Sequence, residues 1–226
     1  MHNIELAVFD MAGTVVNEGN VVYKTLQKAI NKKGRDLTLD FVLEHGAGKE
    51  KHQAIKDILA AIDVDSKSEP SEPIFEDFKT MLDEAYDTLE VTSFAGVEKL
   101  IANLKSQKIK VALNTGYDTR IAELLLKKMN WVKGKHFDTL VTADDAVKGR
   151  PHPDMILKAM EILNVSDASK VLKAGDSIID IEEGKNANCG VTVGVTTGAH
   201  TKAQLQSADP TYVLNSLLEL TDYIKG

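Results

Sequence analysis

A chain of 226 residues, 43% hydrophobic and 27% charged, has enough apolar material for one large domain, or for a core domain carrying a smaller insertion. Its formal net charge of −7 excludes a broad nucleic-acid face, so any phosphate site must concentrate positive charge locally, by a metal or a lysine. The single cysteine, Cys189, excludes an intrachain disulfide and fits a reducing compartment; with no apolar run of about 18 residues and no leader ahead of the first strand, no membrane contact is expected and the cytoplasm is the expected location.

The first predicted element is a strand at residues 6–9. The apolar run Leu6-Ala7-Val8-Phe9 suits a parallel strand buried on both faces, and it stops on Asp10. Open α/β sheets bind ligands at the carboxyl ends of their strands, so Asp10 stands at a candidate site. It reads as a nucleophile able to form an acyl phosphate, or equally as a turn-capping carboxylate. Gly13 lets the backbone turn closely around whatever Asp10 touches. Ala12 is the unusual residue, because a proton-donating acid would be useful there.

From about residue 20 to 87 the pattern is helical only, with helices expected at 22–33, 39–45, 50–62 and 73–89. A polar loop containing Ser66, Ser68 and Pro70 is expected at 63–73. This is an all-helical insertion after the first strand, joined by two linkers near 15–20 and 88–95 that permit hinged closure. The expected boundaries are a core of 1–16 and 93–226 and a cap of 17–92.

Beyond the insertion, helical and strand patterns alternate. Strands are expected at 110–114, 139–142, 171–174 and 191–195, with helices around 97–104, 121–129 and 156–163, which argues an α/β fold with a parallel sheet covered on both faces. The 110–114 strand closes on Thr115-Gly116-Tyr117, whose hydroxyl and amides suit a phosphate oxygen, or serve an ordinary turn. Arg150, in a segment stiffened by Pro151 and Pro153, can balance phosphate and Asp10 together, or lie solvated. The 171–174 strand runs into Gly175-Asp176, with Asp180 four residues on. Their hard oxygens suit Mg²⁺, and helix capping is the alternative use of Asp176.

Successive strand ends thus present Asp10, Thr115, Arg150, then Asp176 with Asp180. That order and spacing resembles the haloacid dehalogenase superfamily of phosphohydrolases over essentially the whole chain. The resemblance implies a Rossmann-like parallel-sheet core with an inserted all-helical cap. It also implies Mg²⁺ bound by Asp10, Asp176 and the backbone carbonyl of Ala12, with Asp180 supporting the metal site. Most phosphatases of the superfamily carry a proton-donating aspartate two residues after the nucleophile, where this chain has Ala12.

The run Asp10-Met11-Ala12-Gly13-Thr14 looks like the phosphonatase branch, the phosphonoacetaldehyde hydrolases, in which a cap lysine forms a Schiff base and no such acid is needed. In Gly46-Ala47-Gly48-Lys49-Glu50-Lys51-His52, Lys49 matches that lysine and His52 its proton-handling partner; i and i+3 share a helical face. The alternatives for Lys49 are a charge contact to a substrate anion or plain solvation, and for His52 an exposed helix position. Thr115-Gly116-Tyr117, Gly149-Arg150-Pro151 and residues 180–187 match further motifs of the branch. His45, Asn20, Met11 and Asp154 depart from it, all around the substrate, which makes His45 a candidate specificity residue.

The reading is therefore a Mg²⁺-dependent, phosphonatase-like hydrolase of a small phosphorylated or phosphonate metabolite. Asp10 is the nucleophile; Gly13, Thr115, Gly116 and Tyr117 surround the phosphoryl group. The alternatives are true carbon–phosphorus hydrolysis through Lys49, a phosphomonoesterase of the phosphoglycolate phosphatase kind, and a non-catalytic phospho-ligand binder. No nucleic-acid partner is expected, and the chain is expected as a monomer or homodimer.

Overall fold

The computed structural model describes residues 3–64 and 70–224; the stretch of the expected polar loop with Ser66 and Ser68 lies outside the described residues. Six strands form one sheet in the order β5-β4-β1-β6-β7-β8. They are β1 (Leu6–Asp10), β4 (Lys110–Asn114), β5 (Thr139–Val141), β6 (Val171–Gly175), β7 (Val191–Val195) and β8 (Tyr212–Leu214). Every pairing among them is parallel. The chain leaves β1 toward β4 and β5, then returns to build outward from β6, so the order reverses beside β1, where such sheets place ligands.

The period of two along β1 divides the core. Ala7 and Phe9 enter one apolar cluster, and Leu6 and Val8 enter the other, with Met155, Ile156 and Ala159 of α7 (Asp154–Ile162). Helices α5 (Val97–Ser106), α6 (Thr119–Lys128), α8 (Ile178–Asn186) and α9 (Lys202–Ser207) complete the α/β part. β8 and α9 escape the sequence reading for a physical reason. β8 is a three-residue, half-buried edge strand and α9 a six-residue helix, too short to show a period.

Between β1 and α5 lie α1 (Val21–Asn31), α2 (Leu39–Gly46), α3 (Lys51–Ala61) and α4 (Glu72–Thr88). Their starts are chemically marked. Thr38 accepts from the Phe41 amide, Glu50 accepts from the amides of His52 and Gln53, and α4 has a proline in its first turn. The two segments joining this helical layer to the sheet pair as an antiparallel ribbon of β2 (Val16–Asn17) and β3 (Thr92–Ser93). The buried faces of α1–α4 merge with the Ala7/Phe9 cluster, so the helical layer packs directly onto the sheet domain.

Candidate active site

Because β1, β4 and β6 are neighbours in register, Asp10 lies opposite Asn114, and Phe9 opposite Ala174. Asp176 follows the end of β6, and the first two turns of α8 bring Asp180 and Glu183 back over the same point. Asp10, Asp176 and Asp180 each offer a carboxylate oxygen within 4.8 Å of the others, and all three are buried. Gly13 explains how they fit. It turns at φ +83°, and a Cβ there would lie 2.2 Å from Asp176 Oδ2. The Ala199 amide donates to the same oxygen at 2.6 Å.

Two buried cations organise these carboxylates. Arg150 Nη1 donates to Asp10 Oδ1 at 2.8 Å, Nε to Glu183 Oε2 at 2.9 Å, and Nη2 to Asn114 Oδ1 at 2.8 Å. Lys173, from the middle of β6 and fully buried, places Nζ 2.7 Å from Asn114 Oδ1, 2.9 Å from Asp180 Oδ1 and 3.1 Å from Glu183 Oε2. Ser177 donates its hydroxyl to the other oxygen of Asp180. Asp180 Oδ1 is near both cations but accepts no well-directed hydrogen bond.

The electrostatics point to a missing positive charge. Burial favours the neutral form of Asp180, yet Arg150 and Lys173 outweigh it and hold the carboxyl below its usual range. Asp176 has no such partner: burial, with Asp10 and Asp180 beside it, pushes its pKa well up. Burial and Asp180 also raise Asp10, despite Arg150. Among the described residues the buried carboxylates of Asp10, Asp176, Asp180 and Glu183 face Arg150 and Lys173, with buried Lys51 acting on Asp10 and Asp176 from the helical layer, so four carboxylates face three cations and leave a formal excess of negative charge. An all-oxygen cluster with that excess fits a divalent cation.

Other residues singled out in the sequence divide into two sets. Thr115 is buried on the strand end next to Asp10, and its hydroxyl accepts from the Tyr117 amide at 3.2 Å. Gly116 touches the helical layer: a Cβ on it would lie 3.1 Å from Lys49 O and 3.2 Å from Gly48 O. Tyr117 is buried beneath the same loop, and Ala12 is half-buried in the turn after β1. These residues, with Asp10, Gly13, Arg150, Asp176 and Asp180, converge.

Lys49, His52 and His45 do not. Gly48 adopts φ +75°, and a Cβ there would lie 2.5 Å from Ser177 Oγ and 2.7 Å from Ile179 Cγ1. The Lys49 ammonium pairs with Asp57, on its own helix-loop unit. His52 Nε2 meets Ser71 Oγ at 2.9 Å and its ring stacks on Phe75, between α3 and α4. His45 packs on Phe41, with ring centroids 4.4 Å apart.

Lys51 faces inward instead. It is buried; its Nζ donates to Lys49 O at 2.6 Å and lies 5.2 Å and 5.1 Å from the ring centroids of Tyr23 and Tyr117. Burial pulls its pKa down to about 8, although Asp10 opposes that change. Lys51 and Tyr117 also line a cavity of about 330 Å³ between the helical layer and the sheet domain, walled by Phe75, Phe78 and Leu82 of α4. A larger groove, about 680 Å³, runs along Trp131 and Lys127; none of the clustered carboxylates lines either space, and only the smaller one reaches Gly116 and Lys51.

Asn114, Lys173 and Glu183 join this buried network although the sequence reading does not single them out. A signal existed for one of them: a lone lysine inside the apolar run Val171-Leu172-Lys173-Ala174 needs a buried partner. Among the described residues no helix is long and apolar enough to cross a membrane.

The family model for haloacid dehalogenase-like hydrolases matches residues 7–194. The phosphonoacetaldehyde hydrolase of Latilactobacillus sakei is 31% identical over 206 residues, covering 86% of this chain and 76% of that protein. Two crystal structures share the fold. A phosphonoacetaldehyde hydrolase-like protein from Oleispira antarctica has a TM-score of 0.83 at 23% identity, covering 98% of this chain and 91% of its own. A hydrolase from Pseudomonas syringae has a TM-score of 0.84 at 19% identity, covering 97% of each.

Proposed function

The chain belongs to the haloacid dehalogenase-like hydrolase family, and from that membership we propose that it hydrolyses a small organophosphorus compound through an aspartyl phosphate on Asp10. The observation that carries this reading is the convergence of Asp10, Asp176 and Asp180 with Arg150 in one buried site. Asp10 attacks phosphorus through its carboxylate, and the phosphoryl group moves to it before water removes it. Arg150 orients that carboxylate and, with the Thr115 hydroxyl and the amides that follow, offsets the charge on the phosphoryl oxygens. Asp10, Asp176 and the Ala12 carbonyl would hold Mg²⁺, with Asp180 supporting them, and the bound ion supplies further positive charge against the same oxygens. The four helices between the paired linkers act as a cap that excludes bulk water from the site.

The test is phosphate release from 4-nitrophenyl phosphate with Mg²⁺, by the wild type and by Asp10→Asn. Turnover by the wild type alone is expected; equal turnover by both proteins would overturn the assignment of Asp10.

A second reading is carbon–phosphorus hydrolysis of phosphonoacetaldehyde. It is favoured by Ala12, which leaves no acid two residues past Asp10, and by the activity that gives the Latilactobacillus sakei relative its name. Its Schiff base would have to form on a cap lysine, and Lys49 is turned away to Asp57. Borohydride trapping with phosphonoacetaldehyde, followed by peptide mapping, separates the two readings. A reduced adduct on a cap lysine together with phosphate release establishes the second, and the absence of both removes it.

A further inference from the structure

We propose that Lys51 is the catalytic residue that gives a proton to the leaving group and later takes one from water, so that the substrates it serves are phosphate monoesters whose alcohols leave as poor, proton-requiring alkoxides. This rests on the reading of Asp10 as the nucleophile. The need arises from Ala12, which has no proton to give. The other nearby donors are committed. Arg150 is held charged by Asp180, Glu183 and Asp10, despite the opposing effect of burial. Lys173 is locked among Asn114, Asp180 and Glu183. Lys49 is paired with Asp57, and His52 lies against Ser71. The Tyr23 hydroxyl accepts from the Gly48 amide at 2.8 Å and the Tyr117 hydroxyl stands beside it, but burial pushes both phenols well above their usual range, so each holds its own proton.

Lys51 differs from all of them. It is only 6% exposed, and among the described residues it forms no ion pair; its hydrogen bond goes to a carbonyl, and two aromatic faces hold the charge. Its position is fixed from three sides: Tyr23 of α1, Tyr117 after β4, and its own loop, which rests on Gly116. It lines, with Gly116 and Tyr117 of the turn that follows the β4 end opposite Asp10, a cavity whose other wall is the apolar face of Phe75, Phe78 and Leu82.

The charged groups facing it set its acidity. Burial and Arg150 favour losing the proton; Asp10, Glu50 and Asp176 favour keeping it, and the charge of Lys51 in turn opposes the burial that raises Glu18, next to β2. The balance, about 8, is near that of an effective acid–base catalyst at neutral pH.

The steps balance. An Asp10 oxygen bonds to phosphorus, the bond from phosphorus to the ester oxygen breaks with its electron pair going to that oxygen, and a proton passes to it from Lys51 Nζ. The alcohol leaves and Lys51 is neutral. Water then attacks phosphorus from the side the alcohol vacated, its proton goes to Lys51, and the bond to Asp10 breaks to restore the carboxylate. The net change is ester plus water to alcohol plus phosphate, with no redox step.

The test compares n-butyl phosphate, whose leaving oxygen needs a proton, with 4-nitrophenyl phosphate, whose leaving oxygen does not, using Mg²⁺-loaded wild type and Lys51→Arg in rapid-quench experiments. Arginine keeps the charge but holds its proton. Lys51→Arg is expected to release one nitrophenolate per protein at close to the wild-type rate and then stall, while butanol release falls roughly 10²–10⁴-fold. Equal loss on both substrates, or retained turnover of both, would overturn the role.

Wild-type protein gives a check that no folding defect can mimic. Butanol release should decline as pH rises through about 8, while the nitrophenolate burst should not. An unchanged butanol rate across that range, or wild type that acts on 4-nitrophenyl phosphate and not on butyl phosphate, overturns the role of Lys51 and leaves that of Asp10 standing. Absence of any phosphoryl transfer to Asp10 overturns both.

Discussion

The two halves of the site are built on opposite principles. At the sheet end, every buried charge but that of Asp176 has a charged partner. Arg150, from the loop before α7, and Lys173, in the middle of β6, cross-link Asp10 at the end of β1 with Asp180 and Glu183 of α8. At the cap end a single buried ammonium, Lys51, sits over two tyrosine rings with a carbonyl for company. On the proposed function, the paired end is the one that receives the phosphoryl group. The unpaired end suits an amine whose charge must change during reaction, because a salt bridge would fix its proton. Geometry is stored in the sheet, and proton mobility in the cap.

The sharpest way to break this contrast is at the sheet end. Asp10→Asn should lower turnover by roughly 10⁴-fold or more without unfolding the protein, as steady-state assays beside circular dichroism will report. Replacing Glu183 with alanine strips Arg150 Nε and Lys173 of a shared carboxylate. Breaking one member of a buried ionic network costs about 3–5 kcal/mol, so urea unfolding should show a loss of that order.

The cap end should respond with the opposite sign. Lys51→Met keeps most of the packing and removes a charge that is buried at a cost. The lysine's pKa falls from 10.5 to about 8 on folding, so the unfolded chain binds more protons between those values. Wild-type stability therefore carries the full penalty below pH 8 and sheds it as pH rises toward 10.5. The variant should be more stable than wild type by roughly 1–3 kcal/mol at pH 7, with the gap closing at alkaline pH, while turnover of alkyl phosphates collapses. A destabilised variant at pH 7 would contradict the account of an uncompensated amine. The smallest effect belongs to Lys49→Met. It breaks a half-exposed pair with Asp57, worth under about 1 kcal/mol, and should leave turnover within a few-fold of wild type.

This last pair of lysines shows where the sequence was and was not legible. Asp10, Thr115 and Asp176 each end or follow an apolar run, and a parallel strand fixes where its last residue lies; that logic gives the α/β class and sets the three residues at neighbouring strand ends. The two lysines after Gly48 part company: Lys49 pairs with Asp57 of α3, while Lys51, two residues on, is buried against the rings of Tyr23 and Tyr117. Helical spacing pairs Lys49 with His52, but Lys49 precedes α3, so that spacing does not apply to it. Asn114, Lys173 and Glu183 are obscure because their places come from one another, Asn114 meeting Lys173 and Glu183 across 59 and 69 residues of chain. The residue patterns carry no mark of such a network except the isolated lysine in β6.

The claim on which all of this depends is that Asp10 carries the phosphoryl group. Acid quenching of the Mg²⁺-loaded protein during turnover of 4-nitrophenyl phosphate, with intact mass and peptide mapping, tests it directly. The account predicts one phosphoryl group per chain, on the peptide containing Asp10, labile to hydroxylamine and absent from Asp10→Asn. Turnover with no such adduct, or with the phosphoryl group on another residue, would contradict it.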